Sequence, residues 1–209
     1  MLPGPTLIVK APGCQSPVKV STLSSGNTFG AVFWTDGKCE APMLPDESLL
    51  RKHPSEGVLF WADECKKIGT IPFDGDSKQA ERWKDVPYDE EPSEQNLFSA
   101  LESGIADTEE KVRYLRIRLW WAANDSIRGS GSGTLTELHL DNLSCLAMLL
   151  AENEPDQRLM MAEAFRELGR FEIAADCLVK DLPAELHSAA EFIGQLCRAR
   201  NARVARFPW

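Results

Sequence analysis

The feature that most constrains this chain is a change of hydrophobic period near residue 107. Before it, apolar residues come in runs of three to six, rich in β-branched and aromatic types and separated by Gly and Pro. After it they recur every three to four residues. Runs of the first kind suit strands, where branched and aromatic side chains fit a pleated, half-buried surface. The second pattern lines one face of a helix. A block of strands followed by a block of helices is the pattern of an α+β fold.

The strand candidates are residues 7–9, 18–20, 29–34 and 58–61. Asp36-Gly37 follows Trp34 and is a strong turn signal, and residues 24–27 read as another turn. The expectation for residues 1–71 is a small antiparallel β unit, too small to be very stable unless stapled or docked.

Charge marks the boundary between the two patterns. The chain of 209 residues has a formal net charge of −9. Residues 71–110 hold twelve acids against three bases, and the segments on either side are balanced. Residues 72–96 lack periodicity and contain three prolines. Residues 72–106 therefore read as an acidic linker without regular structure, with Trp83 and Tyr88 able to pin it to a neighbouring surface. The absence of a basic block argues against nucleic acid as a partner, since phosphates need neutralising. No apolar run approaches the ~18 residues of a membrane span. The start of the chain lacks the basic and apolar regions of a secretory signal, so a cytoplasmic location is expected. The six cysteines include no C-x-x-C pair, and Cys145, Cys177 and Cys197 fall in helical apolar stripes, as buried free thiols do.

Residues 107–209 carry about five helices. Asp107 with Glu110 resembles a capping box ahead of the stripe Val112, Leu115, Leu119 and Trp120. Asn124-Asp125 is expected to end this helix, leaving residues 128–133 as a flexible loop. Thr134 with Glu137 is a second capping box, opening a helix that carries Asn142 within its apolar stripe. Pro155 opens the third helix, and Leu168-Gly169 closes it. Residues 171–182, stopped by Pro183, and residues 184–200 complete the set, and the short connections imply antiparallel neighbours.

The stretch AEAFRELGRFEIAADCL, residues 162–178, resembles a tetratricopeptide (TPR) repeat. Small Ala162 and aromatic Phe165 lie on its first helix, Leu168-Gly169 at the turn, and Phe171, Ala174 and Leu178 on its second. Arg158 stands where an early apolar residue is expected, and no second copy follows at a period near 34. The resemblance implies an α-helical, TPR-like module that binds a protein or peptide partner.

The N-terminal part resembles a degenerate zinc ribbon. APGC (residues 11–14) and HPSEG (residues 53–57) stand where that family has two Cys-Pro-x-Cys-Gly knuckles, each ahead of a strand. The four ligand positions read Ala11, Cys14, His53 and Glu56. Alanine cannot coordinate, and glutamate is a harder donor than the thiolate a ribbon uses. The expectation is therefore a metal-free unit in which packing around Phe33, Phe60 and Trp61 replaces zinc. If any metal is held, its ligands are Cys14, His53 and Glu56. Together the two halves resemble an uncharacterised bacterial family that joins a ribbon-like start to a TPR-like end.

No catalytic constellation stands out, and no cofactor is expected. Residues 129–133 lack the Lys-Ser/Thr that follows a phosphate-cradling loop. Asp36 and Lys38 read as a turn and a solvated lysine, His139 and His187 as structural histidines. The leading reading is a non-enzymatic protein–protein interaction module, with Trp121, Phe165 and Arg200 as candidate partner-binding residues. The alternatives are a ribbon-derived metal-binding protein that contacts nucleic acid or protein, and an enzyme built on the Cys14/His53 region.

Overall fold

A computed structural model describes residues 1–73, 77–130, 133–179 and 181–209. Among them are nine short strands: β1 (Leu2–Pro3), β2 (Thr6–Lys10), β3 (Val18–Val20), β4 (Leu23–Ser25), β5 (Val32–Phe33), β6 (Cys39–Glu40), β7 (Leu50–Lys52), β8 (Leu59–Trp61) and β9 (Lys66–Ile71). Seven α-helices follow: α1 (Ser77–Arg82), α2 (Glu94–Ser103), α3 (Glu109–Ser130), α4 (Glu137–Leu149), α5 (Pro155–Glu167), α6 (Phe171–Val179) and α7 (His187–Arg198). The fold is α+β, with small antiparallel sheets in the first seventy or so residues and helices after them. No helix among the described residues is long and apolar enough to cross a membrane.

The chain divides into two compact units. The first is Met1–Ala31 with Glu40–Ala100. The second is Val32–Cys39 with Leu101–Trp209.

In the first unit the largest sheet has the order β3-β2-β9, with Leu7 opposite Val20 and Val9 opposite Val18. Val9, Val18 and Val20 pack with Ala11, Cys14 and Phe60 in one apolar cluster. Gly69 on β9 lies under the Trp83 indole, and a Cβ there would come within 2.9 Å of that ring. Among the described residues of the segment expected to be an unstructured linker lie α1 and α2, and its middle is hydrogen-bonded to strands; residues 74–76 lie outside the described residues. Lys19 N–H donates to Pro87 O (2.7 Å), Asp89 N–H to Lys19 O (2.9 Å), and Lys52 and Glu90 exchange both backbone bonds (3.0 Å). Two of its acids are matched by bases on β7, with Arg51 3.2 Å from Asp89 and Lys52 3.1 Å from Glu90. Local polarity suggested solvated chain, but pairing across the fold gives these two acids partners.

The second unit contains α3 to α7, β5 and the turn that leads from it to Cys39, the first residue of β6. The hairpin turn is closed by Trp34 N–H to Lys38 O and Gly37 N–H to Trp34 O, both 2.9 Å. The C-terminal tail pairs with it: Thr35 N–H donates to Ala205 O and Phe207 N–H to Phe33 O. Phe33 therefore belongs to this unit and is not part of the packing beside Cys14 and His53. Trp120, Leu143, Leu146 and Met161 form one core across α3, α4 and α5, while Phe171, Ala174, Ile193 and Phe207 form a second around α6 and α7.

Two local expectations are corrected. Helix α3 runs through Asn124-Asp125 to Ser130, because Asn124 and Arg128 each hold buried partners. Helix propensity varies by less than about 0.7 kcal/mol among ordinary residues, too little to overrule such bonds. Helix α4 starts two residues later than expected, capped by Thr136 with His139 as its reciprocal partner. Asn142 is bonded within the unit, donating to Arg116 O (3.0 Å) and accepting from Arg116 Nη1 (3.1 Å).

Candidate functional site

The structure brings the two knuckle-like turns together, and their polar groups satisfy one another. Gln15 N–H donates to Glu56 Oε2 and Ser16 N–H to Glu56 Oε1, each at 2.9 Å. Ser16 Oγ–H also donates to Glu56 Oε1. Glu56 N–H donates to His53 Nδ1 at 3.3 Å. The Ser16 hydroxyl, followed by the two backbone N–H groups, lowers the Glu56 pKa from 4.5 to about 2.

This geometry limits the chemistry available. With Nδ1 accepting, the His53 ring proton sits on Nε2, which faces Ser16 Oγ at 3.4 Å. The ring thus offers Ser16 a donor, whereas a nucleophile needs a base. Burial first, then the Glu56 charge, raises the Cys14 pKa, which keeps it a thiol. The donors also fit tetrahedral zinc poorly. Ala11 has none, Glu56 is occupied by three donors and His53 Nδ1 by one. Among the described residues, no three His, Cys, Asp or Glu side chains are arranged to hold a metal ion.

The three candidate partner-binding residues fall in three different places. Trp121 is half-buried and donates from Nε1 to Asp36 O (3.0 Å), under the Arg118 guanidinium. Arg200 caps the end of α7 with φ of 51°, lies over the Phe171 ring and pairs with Glu172 at 3.0 Å. Phe165 lines a surface groove between α4, α5 and α6.

That groove has a volume of about 340 Å³. Met148, Leu150, Met161, Phe165, Ile173 and Cys177 give it an apolar floor and walls, and Glu152 and Asp176 stand at its rim. Met148 is 81% exposed and Ile173 46%, so two large apolar side chains face solvent at its mouth. Arg158 occupies the position where the TPR pattern expects an apolar residue. It is buried, and its guanidinium donates to Glu152 O (2.8 Å) and Asp181 O (2.6 Å), tying the segment before α5 to the segment after α6. A groove of this kind accepts apolar side chains, and its rim favours cations over anions.

Sequence reasoning missed a second feature. Asp36, Asn124, Glu163, Arg166 and Glu167 are all buried and share one polar network in the second unit. Asp36 sits in a turn dipeptide, and its side-chain partners on α3, Asn124 and Arg128, lie 88 and 92 positions away, so no local pattern marks them.

No family model, curated protein or solved structure matches the chain.

Proposed function

We propose that the helical unit is a non-enzymatic protein-interaction module. It takes an apolar peptide segment, flanked by Lys or Arg, into the groove between α4, α5 and α6. The observation that carries this reading is the groove itself, about 340 Å³ with Met148 and Ile173 exposed at its mouth and Asp176 at its rim. The TPR-like reading is supported by α5 and α6 meeting as a helical hairpin, with Gly169 in the left-handed region at the turn. The N-terminal unit is, on the same reading, ribbon-derived and metal-free, with Glu56 bridging the two turns in place of an ion. Cys14, Cys65, Cys145 and Cys197 are free thiols, which supports a reducing compartment, the cytoplasm.

The test is selection of a random peptide library on the purified protein. Enriched peptides should carry two or three apolar anchors beside basic residues. Ile173→Asp should weaken their binding at least tenfold, whereas Phe29→Asp on the first unit, at an 86% exposed position, should leave it unchanged. Peptides that bind Ile173→Asp as tightly as the parent would place the interaction elsewhere.

A further inference from the structure

The buried network of the second unit is unbalanced in charge. Asp36, Glu163 and Glu167 are carboxyls with essentially no solvent contact, and among the described residues the guanidiniums paired with them are those of Arg128 and Arg166. Glu163 is held by Arg166 through two bonds, one of 2.7 Å from Nε. Asp36 is paired with Arg128 and accepts Lys38 N–H at 3.2 Å. Glu167 is left with neutral donors, Trp120 Nε1 (2.8 Å) and Asn124 Nδ2 (3.1 Å), and a guanidinium 3.9 Å away. The same Asn124 nitrogen lies 2.8 Å from Asp36 Oδ2, so one amide bridges two buried carboxyls.

We propose that the Trp34–Lys38 turn is clamped to the helices by a proton on Glu167, and that loss of this proton at alkaline pH loosens the turn. Three buried carboxylates against two guanidiniums would leave one uncompensated charge in a medium that solvates it poorly. A proton on Glu167 removes it. When the proton leaves, Asp36 and Glu167 repel across Asn124. The hairpin carrying Asp36 is the smaller of the elements concerned, held also by the tail, by Trp121, by the Lys38–Asp125 ion pair and by Arg128 over the Trp34 ring.

The remaining charged groups around the cluster do not change this balance. Lys38 Nζ reaches Asp125 at 2.6 Å, and Asp125 also accepts from Arg128. On the α7 side Arg166 donates to the Asn201 carbonyl, and the Cys197 thiol, which feels the Arg166 charge, has its pKa raised by burial. Burial, then Glu163 and Asp36, raises the Glu167 pKa well above its ordinary value, and burial raises that of Asp36. Both directions agree with the charge count.

Hydrogen exchange of residues 32–39, followed by mass spectrometry and corrected for intrinsic rates, tests the clamp. Between pH 6 and pH 9 protection in the parent should fall at least tenfold, while the Gly57 turn of the first unit holds steady. Glu167→Gln, a neutral isostere, should show a flat profile, and Asp36→Asn, which balances the charges with Glu167 ionised, should also be flat. Constant protection in the parent overturns the proposal without any variant. So does an equal loss in the parent and Glu167→Gln, or a loss spread evenly over both units.

Discussion

At the scale of single residues, Glu56 is the most informative side chain in the first unit. Its carboxylate joins two turns that lie about forty positions apart, using two backbone N–H groups and a hydroxyl. A carboxylate whose folded pKa is depressed adds stability above its unfolded pKa and loses it as pH falls through the folded one. For Glu56 that window runs from about 4.5 down to about 2. Thermal melts of the parent should therefore show Tm falling over this range, and the fall should be smaller in Glu56→Gln. Identical acid profiles would mean that the bridge contributes nothing. A second expectation is that the purified protein carries no stoichiometric zinc by plasma mass spectrometry. Complete ligand sets supply roughly 10–16 kcal/mol, whereas here one ligand position is alanine and another is already occupied. Zinc at one equivalent, lost together with fold in Cys14→Ala, would reverse this reading. The turn positions themselves were legible, because Pro and Gly mark them in sequence. That Glu56 would reach across to Gln15 and Ser16 was not, since nothing local records which turn faces which.

At the scale of elements, the α5–α6 hairpin was legible because its chemistry is local. Gly169 ends α5 with φ of 73°, in the region where a Cβ is penalised. No atom stands within 4 Å of a Cβ built there, so Gly169→Ala should cost about 1 kcal/mol from backbone strain alone. Ala174 has no exposed surface and lies in the core around α6 and α7, so Ala174→Leu should overpack it by roughly 1–3 kcal/mol. Urea denaturation of both variants checks the pair, and midpoints equal to the parent's would mean the helices do not cross as described. The end of α3 was not legible for the opposite reason. Asn124 and Asp125 resemble a helix stop, yet Asn124 bonds Glu167 on α5 and Asp36 in the hairpin, and both partners are distant in sequence.

At the scale of the whole molecule, the change of period announced two units but not their boundaries. The chain gives residues 32–39 to the helical unit and only then completes the first, so a cut by position along the sequence divides neither unit cleanly. Composition also misled over Asp89 and Glu90, which look solvated in sequence until Arg51 and Lys52 are seen opposite them. A sharp consequence follows for a fragment spanning residues 101–209, which a linker reading would expect to be as stable as the parent's helical half. Without the hairpin it loses the Arg128 partner Asp36, the Thr35 and Phe33 bonds to the tail, and the Asp36 carbonyl that accepts from Trp121. Removing one partner of a buried pair costs about 3 kcal/mol at the lower end of the usual range, which applies because Asp125 remains beside Arg128. Asp36→Ala in the intact chain should therefore lower the stability of the helical unit by about that amount, and the fragment should lose at least as much. Helical content followed by circular dichroism in urea reads both. A fragment whose midpoint equals the parent's would show that the hairpin adds nothing to the helices. A fragment weakened beyond Asp36→Ala would show that the backbone pairing with the tail contributes as well as the buried charges.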